Sequence, residues 1–213
     1  LKEDLADLLA CHSTPGDEDE VASLLRECWQ SQGLQVESLG RYAVTGRRPT
    51  TGDRRPRVLV CAHMDSPGYA IEAVSGDTAA VIELGTPNFE GDSVSAVLKR
   101  GAEHRQVVLI REAAELATGR EFYVEGCADA LPGDRLCFSG SSVFSSDGLV
   151  SAPFLDNRLG CAMLCELARQ DGLGSGRFEV ILGATSCEEM GGFGAQVLAR
   201  EVAPDLVICL DAT

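Results

Sequence analysis

Positive charge is scarce in this sequence. Lysine and arginine number 18 against 33 aspartates and glutamates, for a formal net charge of −15. That balance argues against nucleic acid and anionic membranes as partners, since both repel an acidic surface. No apolar run is long enough to span a bilayer. The opening Leu1-Lys2-Glu3-Asp4 lacks the character of a secretory signal, so a cytoplasmic location is expected. The nine cysteines include no Cys-x-x-Cys pair. Cys61, Cys161, Cys165, Cys187 and Cys209 lie in apolar segments, where cysteine is ordinarily a small core residue. Reduced thiols are therefore expected, rather than a disulfide framework.

What is present is ordinary for a soluble globular chain: 213 residues, 45% hydrophobic and 24% charged. That length allows one large domain or two small ones. The segment that organises the rest is Val58-Leu59-Val60-Cys61-Ala62-His63-Met64-Asp65. Its β-branched apolar run reads as a buried strand. His63 and Asp65, two positions apart, point to one face as the strand ends. Ser66-Pro67-Gly68 then breaks it.

Before this strand, Leu1, Leu5, Leu8 and Leu9 form a helical stripe. A second helix follows the acidic run 17–20, which favours the positive end of its dipole. Its apolar face is Val21, Leu24, Leu25, Cys28 and Trp29, and Gly33 supplies a stop. Residues 35–39 and 42–45 suit a hairpin. Residues 47–57, rich in arginine and proline, read as an exposed loop with a solvated basic face.

Between about 69 and 150 the texture changes. Short alternating runs at 69–74, 79–84, 94–98, 107–110, 122–124 and 135–138 are separated by Gly and Asp turns. Such spacing predicts a small all-β barrel or sandwich. After it come a helix over 159–168 with Leu159, Ala162, Met163 and Leu167 on one face, a buried strand over 178–183, a short helix over 193–201 and a buried strand over 206–210. The alternation predicts an α/β fold: a mixed, largely parallel sheet flanked by helices, interrupted by the β module. The expected domains are 1–68 with 151–213, and 69–150.

Sites in open α/β sheets form at the carboxyl ends of strands. Three predicted strands lead there to polar groups: His63 and Asp65, then Glu188 and Glu189, then Asp211. Asp156 stands just before a helix. One imidazole with several carboxylates suits Zn²⁺, Co²⁺ or Mn²⁺. A bridging carboxylate can hold two such ions together, and a free neighbour of a ligand glutamate can act as general base. Each residue alone has a plainer explanation: His63 as a hydrogen-bonded core histidine, Asp156 as a helix N-cap, Glu188 and Glu189 as a solvated pair, Asp211 as the end of a strand. Their joint placement at the right ends of the right elements favours a site.

The motifs Ala62-His63-Met64-Asp65, Leu155-Asp156-Asn157-Arg158-Leu159-Gly160, Cys187-Glu188-Glu189-Met190-Gly191-Gly192-Phe193-Gly194-Ala195 and Leu210-Asp211 resemble the successive metal-site motifs of the tetrahedral aminopeptidases. That family of dinuclear metallopeptidases includes glutamyl and deblocking aminopeptidases, and some members carry an endoglucanase label. The resemblance implies a zinc-exopeptidase-like fold and an oligomerisation role for the β module. It implies that His63 and Asp211 bind one metal, Asp156 bridges two, Glu189 binds the second, Glu188 is the general base and Asp65 supports His63. It further implies two divalent ions per subunit, hydrolysis of N-terminal residues from short peptides, and assembly into dodecamers built from dimers.

The sequence departs from the family pattern at Ser66-Pro67, where an acidic residue and then an apolar one are usual, and mildly at Met190 and Phe193. The family's last ligand, a histidine near the C-terminus, has no counterpart, since the remaining histidines are His12 and His104. The chain is therefore expected to lack the C-terminal part of the catalytic domain and to be a piece of a longer enzyme. Two rival functions remain: a related dinuclear hydrolase acting as deacylase or carboxypeptidase, and a non-catalytic assembly or regulatory subunit with an incomplete metal site.

Overall fold

The computed structural model describes residues 1–49, 55–111, 122–174 and 176–212. In chain order the elements are α1 (Lys2–Ala10), α2 (Asp19–Ser31), β1 (Gln35–Leu39), β2 (Ala43–Arg47), β3 (Arg57–His63), β4 (Gly68–Ser75), β5 (Thr78–Leu84), β6 (Ser93–Arg100), β7 (Glu103–Arg111), β8 (Phe122–Glu125), β9 (Arg135–Phe138), β10 (Val143–Phe144), β11 (Val150–Ser151), α3 (Leu155–Ala168), β12 (Glu179–Thr185), α4 (Phe193–Val202) and β13 (Leu206–Cys209). The chain divides into two units, Leu1–Ser66 with Phe154–Thr213, and Pro67–Pro153. No helix among the described residues is long and apolar enough to cross a membrane. None of the nine cysteines forms a disulfide.

The first unit is a five-stranded mixed sheet in the order β1-β2-β12-β3-β13. β12 and β13 both run parallel to β3, while β2 pairs antiparallel with β1 and β12. The hairpin expected near 35–45 is this β1–β2 pair. Two glycines let helices approach the sheet closely. A Cβ on Gly46 would lie 2.7 Å from the Trp29 ring of α2, and one on Gly183 would lie 2.6 Å from Leu198 of α4. Both positions therefore exclude larger side chains, and Trp29 and Leu198 are fully buried.

Two details differ from the sequence-based expectation. The buried side of α3 is Asn157, Arg158, Cys161, Ala162, Leu164, Cys165 and Ala168, whereas Leu159 and Met163 are exposed. Burial of the Arg158 guanidinium at the start of the helix sets its rotation, which apolar periodicity alone misses. The arginines of the 47–57 stretch are also not simply solvated. Arg47 pairs with Glu37 and Glu179, Arg48 donates to the Gln32 and Ala168 carbonyls, and Arg57 to Glu179 and the Val202 carbonyl. Residues 50–54 of that expected loop lie outside the described residues.

The second unit holds a closed six-stranded barrel, β4-β5-β8-β7-β6-β9. Closure removes the free edges a sandwich would leave. Its interior packs Tyr69, Ile71, Val81, Leu98, Leu109, Phe122, Val124 and Leu136. Tyr69 and Phe122 meet edge to face at 5.3 Å.

Candidate metal centre

The parallel register sets the site. His63 on β3 lies opposite Thr185 on β12, and Cys61 opposite Cys209 on β13. The next few residues of all three strands therefore emerge at one edge, and they include Asp65, Glu188, Glu189 and Asp211. Asp156 reaches the same place from the start of α3, where Asp156 and Asn157 have non-helical backbone angles and no side-chain cap is formed.

His63 is 5% exposed. Its Nδ1 lies 3.0 Å from the main-chain carbonyl of Asp65. A carbonyl only accepts, so Nδ1 carries the hydrogen and the other nitrogen is directed at the carboxylates. Nε2 lies 2.9 Å from Asp156 Oδ1 and 3.6 Å from Asp211 Oδ1. Both aspartates are more than half exposed, so the buried imidazole forms the floor of an open site. One donor atom each from His63, Asp156 and Asp211 falls within 4.8 Å of the others, and the same holds for His63, Glu188 and Glu189. Tetrahedral ligands about 2.0–2.2 Å from one Zn²⁺ ion stand at comparable separations.

Asp65 is fully buried. Its carboxylate is 3.8 Å from His63 Nδ1, but its two oxygens accept the backbone N–H groups of Glu188 at 3.0 Å and Glu189 at 3.1 Å. The contact it makes with His63 runs through its carbonyl. One buried residue thus orients the imidazole and fixes the two glutamates together. Burial, reinforced by Asp65, Glu188 and Asp156, pushes the Glu189 carboxyl up to about 7, with His63 opposing. Concentrated negative charge of this kind is what a bound divalent cation relieves. The donors present therefore fit divalent metal.

The motif around Asp156 has a structural reading residue by residue. Asn157 donates through Nδ2 to the Leu210 carbonyl at 2.7 Å, tying α3 to the chain just before Asp211. Its Oδ1 accepts the Gly160 N–H at 3.0 Å. Arg158, fully buried, donates to the carbonyls of Leu8, Met64 and Ser13 and to the Ser66 hydroxyl. Ser66 in turn donates to the Asp156 carbonyl at 3.0 Å. Ser66, one of the positions that departs from the family pattern, thus holds Asp156 in place. Sequence reasoning missed these partners because each acts through main-chain atoms that only the fold brings together.

It also placed Glu18 only in an acidic run ahead of a helix. Glu18 is buried, and its carboxyl is pushed up, chiefly by burial. It accepts N–H groups from Gly16 and Cys187. Nothing in the sequence sets Glu18 apart from its acidic neighbours or indicates its partner at Cys187.

Comparison with known proteins bears out the resemblance read from the motifs. A sequence model of the M42 glutamyl aminopeptidase family matches residues 127–213. The glutamyl aminopeptidase of Lactococcus lactis subsp. cremoris (strain MG1363) is 25% identical, covering 97% of this chain and 64% of the relative. The chain thus spans just under two thirds of that relative's length. The fold matches a TET aminopeptidase from Thaumarchaeota archaeon SCGC AB-539-E09 with a TM-score of 0.84 at 20% identity, over 99% of this chain and 66% of that one. It also matches the Pyrococcus horikoshii TET1 peptidase, which can assemble into a tetrahedron or a large octahedral shell, with a TM-score of 0.82 at 18% identity, over 99% and 68% of the two chains.

Proposed function

We propose that this chain serves a metal-dependent aminopeptidase that removes N-terminal residues from short peptides. The observation that carries the reading is the convergence on His63 of two carboxylate pairs, Asp156 with Asp211 and Glu188 with Glu189. The likeness to M42 glutamyl aminopeptidases over 127–213 supports it.

In this reading His63 and Asp211 hold one divalent ion, Asp156 is shared, and Glu189 serves a second. Zn²⁺ or Co²⁺ suits the set best, with Mn²⁺ also compatible. Such ions polarise a scissile carbonyl and make water acidic. Asp65 accepts the amides of Glu188 and Glu189 and so fixes the backbone from which both side chains project. Glu188, the more exposed of the two, accepts the proton of the attacking water and returns it to the departing amine. Asp65 also holds the His63 ring through the carbonyl contact, leaving Nε2 directed at the site. The barrel serves self-association, and assembly of dimers into a dodecamer is the proposed form. A cytoplasmic location fits the absence of disulfides.

Two comparisons test this function. Aminoacyl anilides with a free amine should be hydrolysed, while N-acylated amino acids and C-terminal peptide bonds should not. Hydrolysis of the acylated substrates instead would mark a deacylase, and C-terminal release a carboxypeptidase. Glu188→Gln should lower kcat by about 10²–10⁴-fold while leaving metal content unchanged. Unaltered kcat would remove Glu188 from the general-base role, and no hydrolysis by the parent protein would favour an assembly or regulatory subunit.

A further inference from the structure

Glu18 lies far from the metal-binding motifs in sequence, yet its buried side chain reaches the loop that carries Glu188 and Glu189. One oxygen, Oε1, accepts the Gly16 N–H at 2.8 Å and the Cys187 N–H at 3.0 Å. The Cys187 thiol lies 3.7 Å from the same oxygen. Residue 18 is 6% exposed, and its own carbonyl accepts the Ala22 N–H at the start of α2. The carboxylate is therefore anchored to a helix.

The loop it holds is conformationally demanding. Cys187 has φ of +55°, a left-handed conformation that non-glycine residues rarely adopt. Ser186 donates to the Tyr42 carbonyl on one side of it, and Gly192 donates to the Cys187 carbonyl on the other. The Cys187 N–H would be left without an acceptor if Glu18 were absent. Together with Asp65, Glu18 makes buried carboxylates the acceptors for three successive amides, those of residues 187, 188 and 189. A partly buried N–H bonded to a carboxylate is among the stronger hydrogen bonds, and orphaning it is costly.

We infer that Glu18 is a positioning residue: its carboxylate clamps the left-handed turn at Cys187, and so sets where the Glu188 and Glu189 side chains enter the site. The effect on catalysis rests on the aminopeptidase reading, whereas the effect on the loop does not. Both hydrogen bonds fall on a single oxygen, which makes the chemistry separable. Glu18→Gln can present its amide oxygen to both N–H groups, but Glu18→Ala cannot.

The experiment compares the parent protein, Glu18→Ala and Glu18→Gln by amide hydrogen exchange and by kinetics with Zn²⁺ added. In Glu18→Ala, exchange at residues 187–189 should accelerate by at least about tenfold, the loss of one charge-assisted hydrogen bond. Amides of α3, in the same unit but away from the loop, should keep their rates and so report that this unit stays folded. Per folded molecule, kcat should fall by about ten- to a hundredfold with KM within about twofold, as displaced catalytic groups require. Glu18→Gln should restore exchange and most of kcat. Equal exchange at 187–189 in all three proteins overturns the inference, as does a kcat per folded molecule that Glu18→Ala leaves unchanged. If even the parent protein neither binds Zn²⁺ nor hydrolyses peptides, the aminopeptidase reading fails. The exchange comparison then still decides whether Glu18 holds the loop.

Discussion

Asp65 and Arg158 show how this molecule uses buried charge. Neither side chain is accessible to solvent. Asp65 binds two successive amides, and Arg158 binds carbonyls from three separate segments. Charged groups satisfied by main-chain atoms act as rigid connectors, because moving them would strand donors or acceptors in a dry interior. A partly exposed pair gives a contrast. Arg169 bonds both oxygens of Asp4, at 2.6 and 2.8 Å, and joins α1 to the end of α3. These bonds hold the Asp4 carboxyl down at about 2. A carboxyl lowered on folding contributes stability above its unfolded pKa of about 3.9, and that contribution is lost as pH falls toward the folded value. Solvent screening limits the pair to about 0.2–1 kcal/mol. Denaturant midpoints of the parent and Asp4→Asn should therefore differ by that small amount above about pH 4 and converge toward about pH 2. A gap that persists at the lower pH would contradict this role. At this scale the sequence pointed to the residues that the fold gathers at one edge of the sheet, because His, Asp and Glu at strand ends are conspicuous. Asn157, Ser66 and Glu18 were hidden, because their partners are backbone groups distant in the chain.

At the scale of elements, β3 was the most legible, since a β-branched run ending in His63 and Asp65 has few other readings. The alternating runs of the barrel were nearly as clear, although the pattern did not distinguish barrel from sandwich until closure through β9 and β4 was seen. The expected stripe of α3 included Leu159 and Met163, which are exposed, because the buried Asn157 and Arg158 help set the rotation of the helix. Gly160 belongs to that same geometry. A Cβ there would lie 2.3 Å from Asn157 Oδ1 and 2.9 Å from the Ala62 Cβ on β3. Gly160→Ala should therefore cost about 1–3 kcal/mol through overpacking. It should also disturb the Asn157 link to Leu210. Urea unfolding reads the cost, and an unchanged midpoint would mean that α3 can move off β3 freely.

Over the whole molecule, the acid surplus has a local focus. Asp65, Asp156, Glu188, Glu189 and Asp211 gather in one unit around one histidine, and the barrel unit contributes none of them. Negative charge that is collected at this cost to folding should be stabilised by a cation that binds only the folded state. Metal at about a hundredfold excess over its Kd should add about 2.7 kcal/mol. The composition foretold an acidic chain, but only the parallel register of β3, β12 and β13 shows where the acid is concentrated. The most direct test is calorimetric titration of the metal-free protein with Zn²⁺, beside His63→Ala and Asp211→Asn. The parent should bind, and each substitution should weaken binding at least about tenfold, the scale at which even supporting groups of metal sites matter. Absence of binding by the parent, or equal binding by all three proteins, would contradict a metal centre built on His63.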